Sequence, residues 1–130
     1  MPSDLPAPVP EIPVTRIDTA VAYYVSVLGF ALDWGNEEGG IAGISQGSCR
    51  LFLTNAEFRQ SSPLRPPIIV WLNLSSRKKV DQLFARWQTA GALVLSPPED
   101  KPWHLREFTI ADPDANRLRV FYDFSWEQNA

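Results

Sequence analysis

Hydrophobic residues recur at helical spacing, three or four positions apart, in two stretches of the chain. The first covers residues 17–28, with Asp18 as a candidate N-cap and Gly29 directly after its end. The second begins after Ser76 and stops at Gly91. The apolar face of the second stretch consists of Val80, Leu83, Phe84, Trp87 and Ala90. Both patterns predict amphipathic helices, and Trp87 is expected in the core.

Short runs rich in β-branched and aromatic residues predict strands around these helices. The runs cover residues 30–35, 41–46, 48–54, 68–74, 92–96, 105–111 and 117–124. Residues 1–13 contain five prolines, which favours an extended arm or an edge strand over a helix. The polar, proline-rich segment 55–67 is interpreted as a connector, and segment 97–103 as a loop.

The two halves of the chain repeat one order of elements, namely strand, helix, glycine and three strands. They also share local sequence, since "GSCRLFL" in the first half aligns with "NRLRVFY" in the second. This alignment pairs Arg50 with Arg119. It also pairs Phe52 with Phe121. We therefore predict a single domain, residues 1–130, built by internal duplication. The expected boundaries are residues 9–54 for module one, 55–67 for the connector and 68–124 for module two.

Composition narrows the possible functions. The chain has 130 residues, 45% of them hydrophobic, which is enough for one domain with its own core. No run approaches the ~18 apolar residues of a membrane span, and the N-terminus has no secretion-signal pattern, so we expect a cytoplasmic protein. The single cysteine excludes an internal disulfide. A net charge of −3 without a long basic cluster argues against nucleic acid as a partner.

Two motifs make the chain resemble the vicinal oxygen chelate superfamily, which contains glyoxalases, bleomycin-resistance proteins and dioxygenases. "AYYVSVLGF" is similar to the family's F-Y-x-x-x-L-G-F, and "REFTIADPDAN" is similar to its F-x-x-x-D-P-x-G-N turn. The resemblance implies an α+β fold in which two βαβββ modules form a cup-shaped mixed sheet. It leaves the activity open, because the family includes isomerases, dioxygenases, thiol transferases and binding proteins. Ala115 stands where the turn usually has glycine, so we expect the left-handed residue at Asn116 or another turn type.

Metal-dependent members of this superfamily carry one ligand on the first strand and one on the last strand of each module. By this resemblance the positions fall at Val9, Arg50 and Arg119, and near Ile68 or Ile69. Aliphatic and guanidinium groups cannot ligate a divalent ion, so we expect no metal and no other cofactor. A metal-dependent enzyme of the same fold stays open as an alternative if the ligands follow another register. Glu107 and Asp123 are the acids available for it.

If the ligand positions face the cup, strand alternation places one arginine and one phenylalanine of each module on the cup side. These residues are Arg50 and Phe52 in module one and Arg119 and Phe121 in module two. The residues expected to face the helices are Cys49, Leu51, Leu53, Leu118 and Val120. Alternatively, the phenylalanines fill the core and the arginines pair with acids across the cup.

Within the superfamily the chain resembles the bleomycin-resistance proteins, small dimers that bind a flat, cationic antibiotic without altering it. "LGFALDWGNEE" places Asp33 and Trp34 where this branch has an aspartate and an aromatic residue. "IVWLNL" places Trp71 where the branch has a strand tryptophan. "KPWHLREF" reproduces its P-W-x-R-E-F with one inserted residue and brings in Trp103 and Glu107. Such residues suit the ligand, because planar rings stack on indole faces and cationic groups are attracted to carboxylates.

The leading hypothesis is a non-catalytic protein that sequesters bleomycin-type or similar planar, cationic compounds in the groove of a homodimer. The resemblance implies that Pro10 bends an N-terminal arm across to the other subunit. The expected ligand-binding residues are Asp33, Trp34, Arg50, Phe52, Trp71, Trp103, Glu107, Arg119 and Phe121. Glu37 and Glu38 are further candidate acids for a basic ligand. Another alternative is a binder of a different small metabolite or a protein partner, in which the two arginines hold an anion.

Overall fold

The computed structural model describes residues 4–127, which form two four-stranded mixed sheets, each packed against one long helix. The first half contains β1 (Glu11–Pro13), α1 (Ile17–Ser26), β2 (Ala31–Asn36), β3 (Ile41–Gln46) and β4 (Cys49–Thr54). A short helix, α2 (Ala56–Arg59), follows in the connector. The second half contains β5 (Ile69–Asn73), α3 (Arg77–Thr89), β6 (Leu93–Asp100), β7 (Leu105–Ala111) and β8 (Arg117–Asp123). Among residues 4–127, no helix is long and apolar enough to cross a membrane.

The two sheets have the same topology, with strand orders β1-β4-β3-β2 and β5-β8-β7-β6. In each sheet the first strand of the module pairs in parallel with its last strand, and the remaining neighbours are antiparallel. This arrangement confirms the α+β fold that the resemblance to the superfamily implied, and it agrees with the repeated order of elements in the two halves.

Side chains alternate along β4 and β8 as the period of a strand requires. Leu51, Leu53, Leu118 and Val120 are fully buried on the helix side of their sheets. Their neighbours on the opposite side, Arg50, Phe52, Arg119 and Phe121, remain partly or fully accessible. Trp87 is only 3% exposed and its indole N–H donates to the carbonyl of Leu28 at 2.9 Å, so it belongs to the core as predicted.

Helix α1 is tied to the turn between β7 and β8 by polar contacts. Its Tyr23 hydroxyl donates to the Ala111 carbonyl at 2.7 Å, and its Tyr24 hydroxyl donates to Asp112 at 2.9 Å. The Asn116 amide donates to the Pro13 carbonyl at 2.7 Å. Burial raises the pKa of Asp112, while its hydrogen bonds with Asn116 and Tyr24 act in the opposite direction. The D-P-D-A-N motif therefore joins the two halves of the domain.

The start of α1 differs from the prediction, because Asp18 is not its cap. Arg16 occupies the N-cap position without a side-chain hydrogen bond. The free N–H of Asp18 instead donates to the carboxylate of Glu37 at 3.0 Å, and this bond is the main cause that lowers the pKa of Glu37. Glu37, which was a candidate acid for a basic ligand, is thus engaged at the positive end of a helix.

The segment predicted as a loop at residues 97–103 is strand up to Asp100, so β6 extends four residues beyond the predicted end at Ser96. Two prolines are tolerated there because β6 is the edge strand and its register shifts between Ser96 and Glu99. The connector also contains structure that was not predicted. The Asn55 side chain accepts the Phe58 N–H at 2.9 Å and starts α2.

The left-handed residue of the turn after β7 is Ala115 itself, with a φ of 67°, and Asn116 is not among the residues of positive φ. The prediction for this turn was therefore wrong. Asp112 explains the difference, because its Oδ1 accepts the N–H groups of Asp114 and Asn116 and fixes the turn around Ala115. These bonds offset the ~1–2 kcal/mol that alanine loses in a left-handed conformation.

Candidate functional site

The side of each sheet that faces away from its helix carries aromatic and arginine side chains. We call the first face the group formed by Trp34, Gly43, Arg50 and Phe52 on β2, β3 and β4. The second face consists of Trp71, Trp103, Glu107, Thr109, Arg119 and Phe121 on β5, β7, β8 and the loop before β7. The indoles of Trp34, Trp71 and Trp103 are 43%, 46% and 59% exposed, so none of the three lies in the core.

On the first face, Trp34 lies directly over Gly43. A Cβ added at Gly43 would come within 2.5 Å of two atoms of the indole, which shows that only glycine admits the ring in this position. The indole meets Phe52 edge to face, with ring centroids 5.2 Å apart and an interplanar angle of 67°. The pair leaves a broad aromatic surface open to solvent.

Arg50 completes the first face without an anionic partner. Its guanidinium carbon lies 5.6 Å from the centroid of the Phe52 ring. Within residues 4–127, its side chain forms no ion pair, and the residue opposite it on β3 is Ser45. The charge of Arg50 is thus available to a ligand.

On the second face, Trp71 and Phe121 form an equivalent edge-to-face pair, with centroids 5.6 Å apart and an interplanar angle of 77°. The guanidinium of Arg119 lies over the Trp71 ring at 4.9 Å. Its Nε also donates to the hydroxyl of Thr109 at 3.0 Å. Arg119 is therefore held in place by a ring and a hydrogen bond.

Glu107 links the remaining residues of the second face. It is only 5% exposed, accepts the indole N–H of Trp103 at 2.9 Å, and lies 3.7 Å from the Nε of Arg119. The positive φ of His104, 68°, turns the chain between Trp103 and β7. Glu107 and Arg119 form an ion pair, as in the alternative expectation that the arginines pair with acids. Glu107 is consequently not a free carboxylate for a cationic ligand.

Asp33 and Pro10 lie beside the first face. Asp33 is exposed in β2, where the pairing with β3 shifts register between Leu32 and Trp34. The carbonyl of Pro10 accepts the N–H of Phe52 at 3.0 Å, so the arm follows β4 of its own chain here. Exchange of this arm between subunits stays a prediction.

The positions at which related enzymes hold a metal do not fit one in this chain. The register of β5 and β8 places Trp71 opposite Arg119, and the expected fourth position, Ile68 or Ile69, lies at the start of β5. Neither an indole nor a guanidinium offers a lone pair to a divalent ion. The described residues, 4–127, contain no group of three or more His, Cys, Asp or Glu side chains that could hold a metal.

The residues not predicted from the sequence are Gly43, Thr109 and the basic face of α3, which Lys79 and Arg86 form. Gly43 could have been found from strand alternation, because it lies opposite both Trp34 and Phe52. The basic face borders a cavity of about 650 Å³ between the modules, to which Arg50 and Trp71 also contribute. No local motif predicts this cavity, because its walls come from distant parts of the chain.

The sequence profile of the Glyoxalase/Bleomycin resistance protein/Dioxygenase superfamily matches residues 8–120. The chain belongs to this superfamily. Among solved structures, it is similar to a glyoxalase/bleomycin resistance protein/dioxygenase from Nocardioides, with 20% identity, a TM-score of 0.76 and coverage of 99% of this chain and 91% of that chain. No curated protein sequence matches it significantly.

Two further solved structures show the range of proteins that share the fold. TioX from Micromonospora sp. ML1 is 24% identical, with a TM-score of 0.72 and coverage of 91% of this chain and 99% of that chain. Lactoylglutathione lyase from Agrobacterium tumefaciens is 17% identical, with a TM-score of 0.77 and coverage of 96% and 99%. At these identities the likeness concerns the fold alone.

Proposed function

We propose that this protein is a non-catalytic binding protein of the bleomycin-resistance type, which sequesters planar aromatic compounds by stacking them on the open sheet faces. The observation that carries the proposal is the Trp–Phe pair on each sheet, one with centroids 5.2 Å apart and the other 5.6 Å apart, both accessible to solvent. Rings that served only packing would be buried between a helix and a sheet, as Trp87 of α3 is.

Stacking supplies most of the expected binding free energy. An aromatic pair contributes roughly 0.5–1.5 kcal/mol beyond the area it buries, and the exposed indoles are large apolar surfaces that a ligand would remove from water. The indole of each pair stays accessible, since Trp34 is 43% and Trp71 46% exposed. A flat ligand fits such a surface better than a globular one.

The charge of the ligand is constrained by the pairing on each face. Asp33 is an exposed carboxylate next to Trp34 and can attract a cationic group. Glu107 is already paired with Arg119, and Arg50 adds an unpaired positive charge. We therefore propose planar compounds with one or a few positive charges, with bleomycin-type compounds tested first, and expect polycations to bind less well.

A homodimer is part of the proposal. Within residues 4–127, no ring contact or ion pair joins the first face to the second. A groove that encloses a flat ligand from both sides therefore requires a second wall, which a second copy of the chain would provide. Analytical ultracentrifugation with and without ligand would measure this assembly.

Calorimetric titration tests the binding function directly. Bleomycin, a panel of planar monocations and matched neutral planar compounds would be titrated into the wild type, Trp34→Ala and Trp71→Ala. We expect binding by the wild type and at least tenfold weaker binding by either variant. Trp126→Ala is the matched control, since this exposed indole lies in the C-terminal segment and bonds to Asp123.

Absence of heat and of any thermal shift with all compounds would overturn the ligand class. The enzyme alternative is separated by elemental analysis of protein purified without chelator. A stoichiometric divalent metal would favour that alternative and contradict a non-catalytic role. Its two candidate acids are both engaged, Glu107 with Trp103 and Asp123 with the N–H of Ser125 at 2.8 Å.

A further inference from the structure

A cavity of about 650 Å³ lies between the two modules, along the edge of β5 that is not paired with β8. Its walls are β5 with the residue that follows it, the start of β4, one side of α3 and part of the N-terminal arm at residues 7–10. The volume falls within the ~300–1,000 Å³ typical of small-molecule sites.

Positive charge lines this cavity and negative charge does not. Arg50, Lys79 and Arg86 border it, and none of its lining residues, all within 4–127, is an aspartate or glutamate. The three side chains form no ion pair in the described part of the chain. Three unpaired cations around one concavity make it a site of positive potential.

Helix α3 carries both ion-paired and unpaired basic side chains, on different parts of its surface. Arg77, at the start of the helix, is neutralised by Asp100 at 2.7 Å and Glu127 at 3.3 Å. Lys79 and Arg86, seven positions apart with Gln82 between them, occupy the face that borders the cavity. The acids of this region thus bind Arg77 and leave the cavity face uncompensated.

Apolar and aromatic groups form the deeper part of the cavity. Phe30, Leu83 and Trp87 are buried core residues that reach its wall, and Trp71 contributes a partly exposed ring. The neutral polar residues Gln46 and Asn73 complete the lining. Rings and aliphatic groups below, with cations and amides above, suit a ligand that has an apolar ring at one end and an anionic group at the other.

We propose that this cavity binds small aromatic carboxylates, with the ring against Leu83 and Trp87 and the carboxylate near Lys79 and Arg86. The site goes beyond the proposed function because it prefers the opposite ligand charge and uses Lys79 and Arg86 of α3, while it shares Arg50 and Trp71 with the two open faces. Carboxylates form charge-assisted hydrogen bonds with guanidinium and ammonium groups, and because Lys79 and Arg86 are exposed this attraction should weaken with salt.

The test is calorimetric titration of the full chain at low ionic strength with 2-naphthoate and, as the neutral match, 2-naphthamide. We expect 2-naphthoate to bind at least tenfold more tightly and to lose this advantage in 0.5 M salt. The double variant Lys79→Gln with Arg86→Gln should abolish the preference. Lys78→Gln, an exposed lysine of the same helix outside the cavity, should leave it unchanged.

The only cysteine of the chain provides an independent readout of the location. Cys49 borders the cavity, and burial raises the pKa of its thiol. Saturating 2-naphthoate should slow alkylation of Cys49 by iodoacetamide at least fivefold. Binding without protection of Cys49, equal affinity for the two compounds, or no binding of 2-naphthoate would each overturn the proposal.

Trp34→Ala separates this site from the proposed function. The substitution should weaken binding of planar cations and leave 2-naphthoate unaffected, because Trp34 does not border the cavity. If 2-naphthoate binding depends on Trp34 and not on Lys79 and Arg86, the assignment to the cavity is wrong. If planar cations do not bind but 2-naphthoate does, the proposed function fails and the cavity site stands.

Discussion

The two modules share one scaffold but differ in the residue that lies opposite the phenylalanine of their open faces. Phe52 lies opposite Gly43 in the first sheet, and Phe121 lies opposite Glu107 in the second. The glycine lets an indole lie flat across the strand, whereas the glutamate joins an arginine and an indole into a polar network. The first face therefore presents an open aromatic surface, whereas the second is cross-linked by Glu107 together with Trp103 and Arg119.

The arginines show the consequence of this difference. Arg119 contacts Trp71, Thr109 and Glu107, while Arg50 contacts only the Phe52 ring among the described ring and ion-pair interactions. The second face is fixed before a ligand arrives, and the first can adapt its charged side chain to what it binds. Preorganisation of one wall and adaptability of the other suit a protein that holds related flat compounds.

The largest expected effect comes from removing the paired arginine. Arg119→Ala leaves the buried Glu107 carboxylate without its cation and should lower the free energy of unfolding by about 2 kcal/mol, below the ~3–5 kcal/mol of a fully buried pair because Arg119 is partly exposed. Arg50→Ala, the corresponding change in module one, should cost less than about 0.5 kcal/mol. Urea unfolding measures both, and equal losses would remove the distinction between the faces.

Adding a methyl group at Gly43 tests the other face. Gly43→Ala places a Cβ within 2.5 Å of the Trp34 indole and should destabilise the protein by about 1–2 kcal/mol, the cost of overpacking. In a Trp34→Ala background the same change should be neutral or stabilising, because glycine is unfavourable within a strand. A loss of the same size in both backgrounds would show that the ring does not require the glycine.

The smallest effect concerns the indole hydrogen bond of the second face. Trp103→Phe removes the donor to Glu107 and should cost about 1 kcal/mol. Trp34→Phe removes an indole N–H that has no hydrogen bond in the described residues and should change the unfolding free energy by less than half as much. A larger loss from Trp34→Phe would reverse the expected order of the two faces.

The hydrophobic pattern was sufficient for most helices and strands because it reports burial directly, and the resemblance to the superfamily supplied their arrangement. The alternation of Leu51 and Leu53 with Arg50 and Phe52 identified both sides of β4 correctly. The extent of β6 was missed, because prolines that exclude a central strand are tolerated at a sheet edge.

The exposure of the candidate rings agrees with the sequence interpretation, but the pairings among the candidate residues were not predictable. Trp34, Trp71 and Trp103 lie on open surface as expected, yet the partner of Glu107 depends on the register of β7 with β8 and on the loop around His104. The residue of β5 that lies opposite Arg119 was not predicted either, since parallel pairing of β5 with β8 leaves no local pattern in the sequence.

The most direct test of the central claim is the NMR spectrum of the five indole N–H groups during titration with a planar aromatic cation. The open-face account predicts that the signals of Trp34 and Trp71 shift with saturation and that the signal of the buried Trp87 stays in place. Titration in which no indole signal moves, or in which only Trp87 responds, would contradict it.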